Sequence, residues 1–276
     1  MPTATTATSC CWIGARKSKQ AWLTMIPTQY IRQITLLRDK VEDFKKYPFS
    51  LPAIRGLEHL DIHPKATILV GENGSGKSTL LEAIAVALGF NAEGGTRNFN
   101  FHTRQSHSEL YKYLRVTRGT KRPRDGFFLR AESFFNVATE IERMDEEPCF
   151  GPPVIDSYGG ISLHEQSHGE AFLALMVNRF SGHGVYILDE PEAALSPKRQ
   201  LAVLVRMHDL IQSESQFIIA THSPILMAYP DAQIYHCSAK GVEKIPYEET
   251  EHFQVTRNFL SDPQRMLRML LNPQQD

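Results

Sequence analysis

Short uninterrupted apolar runs alternate along this chain with stretches of helical spacing. Thr67–Val70 is a short β-branched apolar run, and Val185–Leu188 and Phe217–Ala220 are continuous apolar runs, the pattern of strands buried on both faces of a sheet. Ser78–Leu88, Glu170–Phe180 and Pro197–Gln212 place apolar residues three and four positions apart and predict helices. Tyr30–Leu37 and Leu57–Ile62 read as further strands around a loop rich in Pro and aromatics, Tyr47–Pro52. Leu110–Thr117 and Phe127–Ala131 read as the two arms of a hairpin joined by Arg118–Gly126. Phe134–Arg143 is helical in pattern, Pro148–Gly160 is a Pro/Gly loop, and Val255–Leu271 predicts one amphipathic C-terminal helix. Strands alternating with helices argue for an α/β fold with a mostly parallel sheet. No repeat of 20–50 residues is present, which excludes solenoids and propellers.

Composition narrows this little. The chain has 276 residues, 42% hydrophobic and 22% charged, which is the balance of a globular protein with a real core. Thirty Lys and Arg meet 31 Asp and Glu, so no global field draws the molecule to nucleic acid or anionic lipid. The longest mainly apolar stretch, Leu80–Phe90, contains Glu82 and is shorter than the ~20 residues that cross a bilayer. Cys10, Cys11, Cys149 and Cys237 show no C-x-x-C spacing, which suits a reducing, cytoplasmic setting. Met1–Arg38 has no acid, carries Arg16, Lys17 and Lys19, and lacks a secretory apolar core. Residues 1–24 therefore read as a disordered extension, with Met25 a possible true start and an organelle transit peptide the competing interpretation.

The chemistry begins at Gly71-Glu72-Asn73-Gly74-Ser75-Gly76-Lys77-Ser78-Thr79, a full G-x-x-x-x-G-K-[ST] match between a predicted strand and a predicted helix. Glycines let successive backbone N–H groups turn inward around a phosphate at a helix N-terminus. Lys77 supplies a point charge for the β- and γ-phosphates, and the Ser78 hydroxyl is the expected Mg²⁺ ligand. Val185–Leu188 then ends in Asp189-Glu190: Asp189 can reach Mg²⁺ and Glu190 can act as general base on an attacking water. The strand Phe217–Ala220 ends in Thr221-His222-Ser223, which makes His222 a candidate for contact with the γ-phosphate or that water. A second pattern, His164-Glu165-Gln166-Ser167-His168, satisfies the H-E-x-x-H zinc signature. Gly159, Gly160 and Gly169 and the cap-like Ser167 argue against one helix carrying both histidines.

Gln166-Ser167-His168-Gly169-Glu170, just before a helix, resembles the signature loop Leu-Ser-Gly-Gly-Gln of the ABC-type ATPase superfamily. Ser167 and Gly169 match; Gln166, His168 and Glu170 depart. With the phosphate loop, the Asp-Glu strand end and His222 in the family's order, the resemblance spans roughly Tyr30 to Ser238. It implies a P-loop NTPase of ABC type: a mostly parallel sheet flanked by helices, an antiparallel β part, and a short helical lobe (133–180) bearing the signature, within a domain covering 25–276. It further implies ATP and Mg²⁺ as cofactors, ATP hydrolysis, and a head-to-tail homodimer in which Ser167 and Gly169 of one copy meet the γ-phosphate held by Gly71–Thr79 of the other.

Within the superfamily, Asp189-Glu190-Pro191-Glu192 and Leu195-Ser196-Pro197 look like the stand-alone ATPases related to the SMC and RecF repair class. Transporter subunits usually carry Asp where Ser196 stands. Too few residues separate Lys77 from Gln166 for the long SMC coiled coil, so the chain resembles such a head without its arms. The competing expectation is the energy-coupling subunit of a membrane transporter. The family's γ-phosphate-sensing glutamine is replaced by Glu132, or is Gln105 from an earlier position. Tyr47 or Phe49 stands where the superfamily stacks an aromatic on the base. Finally, Lys112, Arg115, Arg118, Lys121, Arg122, Arg124 and Arg130 form a basic stretch that reads as a DNA- or acidic-partner patch on the expected hairpin, or as a solvated turn.

Overall fold

The computed structural model describes residues 29–97, 108–146 and 151–271. The N-terminal extension, Gln105, Cys10, Cys11 and Cys149 lie outside them. Among the described residues nine strands form two sheets. β1 (Ile31–Leu36) is the middle of a small antiparallel sheet between β2 (His59–Asp61) and β4 (Leu114–Arg118). The larger sheet runs β5 (Asp125–Arg130), β6 (Gly184–Asp189), β7 (Gln216–Ala220), β3 (Ala66–Val70), β8 (Gln233–Ser238), β9 (Gly241–Lys244). All its pairs are parallel except β8–β9.

Every residue of β3, β6 and β7 is buried, as their apolar runs require of strands covered on both faces. One face packs on α2 (Lys77–Ala87), through Leu80, Leu81 and Ile84, and on the small sheet. The other packs on α3 (Phe134–Glu146), α4 (His168–Asn178) and α5 (Pro197–Gln212), through residues such as Ile141, Phe172, Leu175 and Val203. α5 starts where the sequence places it, with Ser196 at its N-cap and Pro197 as its first residue. Short helices α1 (Pro52–Arg55) and α6 (Pro224–Met227) complete the body.

Two expectations are corrected. Residues 114–130 are not a hairpin. β4 pairs antiparallel with β1, whereas β5 pairs parallel with β6 from Asp125↔Gly184 to Arg130↔Asp189. The reason is legible in burial: β4 is half exposed, while Gly126-Phe127-Phe128-Leu129 is an apolar run of the both-faces-buried kind. Asp125 locks this pairing, accepting from Tyr186 Oη (2.8 Å), Arg179 Nη1 (3.0 Å) and the Ser181 amide (3.1 Å). Burial pushes its pKa up, but Arg179 and these hydrogen bonds prevail and hold it below the usual carboxylate range. The second correction is at the C-terminus. The expected single helix is two, α7 (Glu251–Ser261) and α8 (Pro263–Leu271), because Pro263 has no N–H to continue the ladder. Between Ala220 and α7 lies the β8–β9 pair, which the hydropathy pattern did not predict.

Gln216 joins the two sheets. Its Oε1 accepts from the amides of Ile31 (2.9 Å) and Tyr30 (3.2 Å), and its Nε2 donates to the carbonyls of Ile31 (2.8 Å) and His63 (2.9 Å). Gln216→Leu leaves these backbone groups unpaired in the interior, each worth about 1–3 kcal/mol. The expected result in urea unfolding is a loss of roughly 2–5 kcal/mol with an unchanged m-value. A loss under about 0.5 kcal/mol would place the join elsewhere.

Candidate functional site

The loops that follow β3, β6 and β7 leave neighbouring strands at one edge of the sheet, so three separate sequence motifs converge there. The first loop is Gly71–Gly76. Gly71 has φ +144°, and a Cβ on it would lie 2.3 Å from the Cys237 carbonyl of β8, so only glycine fits. Gly76, at φ +98°, caps α2 in a left-handed conformation with Leu51 packed against it. Lys77 is buried and its Nζ donates to the carbonyls of Gly71 (2.8 Å) and Glu72 (2.9 Å). Burial lowers its pKa, while the nearby carboxylates of Glu190, Asp189 and Glu192 work to keep its proton.

Asp189 closes β6 and is 4% exposed. Burial pushes its pKa up to about 6, against the pull of Arg130 and of a hydrogen bond from the Ser78 hydroxyl. Its Oδ1 is buried with no partner, and Oδ2 is 3.5 Å from Arg130 Nε. An orphaned buried carboxylate oxygen beside a serine hydroxyl is an all-oxygen donor set of the kind a hard divalent cation takes. Ser78 and Asp189 therefore fit Mg²⁺.

Glu190 has φ +50°, and its carboxylate is partly exposed at the cleft beside Lys77, Ser78 and Glu132. His222 Nε2 is buried without a hydrogen-bond partner, 3.7 Å from Glu190 Oε1. Glu192 holds the His222 backbone. Its half-buried carboxylate accepts from the His222 amide and from Thr221 Oγ1 (2.7 Å). Burial raises the Glu192 pKa and these hydrogen bonds counter it.

Ser167 is the N-cap of α4, as expected, and Glu170 reaches back to it: both the Ser167 N–H (3.1 Å) and its hydroxyl (2.5 Å) donate to Glu170 Oε2. Arg199 of α5 clamps the pair, reaching Glu170 Oε1 at 2.9 Å and Ser167 Oγ at 3.3 Å. Gly169 is required by packing, because a Cβ there would lie 2.7 Å from the Ala194 carbonyl. Among the described residues no hydrogen bond joins Ser167 or Gly169 to the phosphate loop. His164 lies before α4 and His168 is its first residue, so H-E-x-x-H does not present two histidines from one helix. The two rings flank Phe135, and no cluster of three or more His, Cys, Asp or Glu suited to a metal occurs among the described residues.

Sequence reasoning missed Arg130. It is not part of a basic patch: its guanidinium turns into the site, bonding Glu82 of α2 at 2.7 Å and lying near Asp189 and Glu132. The patch is further broken by Lys112 pairing with Glu109 and Lys121 with Glu214, and its residues span a strand and a crossover rather than a hairpin tip. Phe49 packs edge-on against Tyr113 (4.8 Å), which leaves Tyr47, largely exposed, as the free aromatic of that loop. Cys237 is a buried thiol whose pKa burial pushes up to about 12.

Two family models match the chain. One, described as "AAA domain", covers residues 40–146; the other, "AAA domain, putative AbiEii toxin, Type IV TA system", covers residues 154–228. The first contains the phosphate loop, and the second contains Ser167, Asp189-Glu190 and His222. No curated protein matches. Similar solved structures include CbiO1 from Clostridium perfringens, part of the ABC transporter complex CbiONQ (18% identity, 88% of this chain, 99% of that chain, TM-score 0.45). Others are the SMC head domain from Thermotoga maritima (16% identity, 79% and 98%, TM-score 0.40) and a dimeric bacterial ABC transporter cassette (18%, 67% and 86%, TM-score 0.41). A phosphate loop after β3, an acidic end to β6 and AAA-domain matches over 40–146 and 154–228 agree on a P-loop nucleotide-binding fold. In the order of its motifs it resembles the ABC-type ATPases and the heads of the SMC and RecF class. No helix among the described residues is long and apolar enough to cross a membrane.

Proposed function

We propose that this chain is a Mg²⁺-dependent ATP hydrolase whose ATP-bound form is a homodimer, acting as a switch rather than as a transporter subunit. The observation that carries this reading is the convergence at three adjacent strand ends of a cleft lined by Lys77, Ser78 and Glu190, with Asp189 bonded to Ser78 and His222 3.7 Å from Glu190. The amides of Gly71–Thr79 cradle the phosphates and Lys77 faces the β- and γ-phosphates. Ser78 and Asp189 hold Mg²⁺, which when bound offsets charge on the phosphate oxygens. Glu190 polarises the attacking water, and His222 Nε2 points to the terminal phosphate. Ser167 and Gly169 of a second copy complete the site, their helix N-terminus facing the γ-phosphate.

The test is Asp189→Asn, assayed for ATP hydrolysis against Mg²⁺ concentration. An amide removes the charge that holds the metal, so turnover falls by at least about 10²-fold. The same change removes a carboxylate that burial disfavours, so the nucleotide-free variant gains stability at pH 7.5, about 2–4 °C in Tm per kcal/mol. Normal Mg²⁺ dependence in the variant overturns the assignment of Asp189.

A further inference from the structure

His222 has a partner that no phosphate-loop motif contains. Its Nδ1 lies 2.9 Å from Nε2 of His252, the second residue of α7, with the rings 5.0 Å apart and tilted by 56°. Several contacts hold His252 in place. Buried Thr250 caps α7, its Oγ1 accepting from the Phe253 amide at 3.4 Å. The Tyr247 ring packs on Phe253 at 4.6 Å, and its hydroxyl donates to the Pro224 carbonyl, two residues beyond His222. The start of α7 is thus fastened to the segment that carries His222.

We infer that His252 is a positioning residue that sets the tautomer of His222: His252 Nε2–H donates to His222 Nδ1, so that His222 presents Nε2–H to the terminal phosphate. The inference rests on the proposed hydrolase reading for its catalytic consequence, but not for the tautomer itself. A neutral imidazole has one N–H donor and one bare acceptor nitrogen, so a bond between two neutral rings fixes the role of both. Both rings are held below the ordinary imidazole range, His222 by burial and then Lys77, against Glu190. For His252 the causes are burial and then His222, against Glu251. The direction of the bond follows from the other end of His222. Nε2 is buried, unpartnered and 3.7 Å from a carboxylate oxygen of Glu190, at a cleft built for phosphate oxygens. A bare lone pair there would face the Glu190 oxygen, whereas an N–H is attracted to it, and the Lys77 ammonium donates to the Gly71 and Glu72 carbonyls rather than to Nε2. Nδ1 must then be the acceptor, and His252 must donate.

The experiment is long-range ¹H–¹⁵N correlation of histidine-labelled, nucleotide-free protein at pH 7.5, with ATPase kinetics on the same samples. The wild type is expected to show His222 protonated on Nε2 and bare on Nδ1. His252→Gln, whose amide N–H reaches a similar point, keeps that pattern and a near-normal kcat. His252→Leu frees Nδ1, populates the other tautomer, and lowers kcat about tenfold while KM for ATP stays within about twofold. A wild-type His222 protonated on Nδ1 overturns the inference, whether or not the leucine variant folds. So does a leucine variant with an unchanged His222 spectrum and kcat. If the wild type hydrolyses no ATP, the hydrolase reading fails while the spectrum still decides the tautomer.

Discussion

Lys77→Ala is expected to abolish ATP hydrolysis and to weaken nucleotide binding severely. The ammonium is buried at the start of α2, where it holds the Gly71 and Glu72 carbonyls in the absence of nucleotide. In the proposed reading the same donors turn to the β- and γ-phosphates when nucleotide binds. They act there in a poorly hydrated setting that strengthens them and needs no reorganisation. Loss of one such preorganised donor elsewhere costs about 10²–10³ in kcat, and here the donor also carries the loop's fixed positive charge. The alanine variant also removes two hydrogen bonds that shape Gly71–Glu72, so binding falls with turnover. Steady-state hydrolysis and equilibrium binding of a fluorescent ATP analogue test both halves. A purified variant that turns over at the wild-type rate sinks the assignment of the loop.

Glu190→Gln is expected to trap an ATP-bound dimer. The amide keeps the size and the exposed position of the side chain at the cleft but cannot take a proton, so ATP binds and is not consumed. If the terminal phosphate bridges two copies, the dimer then accumulates by mass action. Size-exclusion chromatography with light scattering should show a doubled mass with Mg-ATP and a monomer without it, and kcat should fall by about 10²–10⁴-fold. Adding Ser167→Arg should abolish the dimer. An arginine at the N-cap removes the hydroxyl that bonds Glu170 and thrusts a long side chain into the proposed interface. One unchanged mass for Glu190→Gln with and without ATP excludes an ATP-gated dimer. A dimer that survives Ser167→Arg takes the signature loop out of the interface and leaves Ser167 as a helix cap.

What could be read beforehand was what short spacing encodes. The phosphate loop, Asp189-Glu190 and the end of β7 each sit within a few residues of a fully apolar strand, and a parallel α/β sheet brings such strand ends together. Ser167 could be foreseen as a cap because Glu170 lies three positions on, the spacing of a capping box. The residues that escaped reach the site from afar. Arg130 looked like one more base in a basic stretch; only the parallel pairing of β5 with β6 sets it beside Asp189, and only α2 supplies Glu82. His252 was overlooked for the same reason, since nothing in its own surroundings points to a strand end thirty residues away. The hairpin error came from treating proximity in sequence as pairing. Gly126–Leu129 has the continuous burial of a central strand, and weighing that run as Val185–Leu188 was weighed would have separated it from β4.

The strand order also governs how the chain is made. β3 lies between β7 and β8, and all five of its residues are buried only once both neighbours are in place. A ribosome working at about 5–20 residues per second finishes β3 roughly 7–30 s before β7 leaves it. Throughout that interval the nascent polypeptide carries an apolar segment with unmet edges, immediately ahead of its glycine-rich loop. Chains cut short anywhere between Val70 and Gln216 are expected to leave both edges of that segment unpaired and open to pairing with other chains.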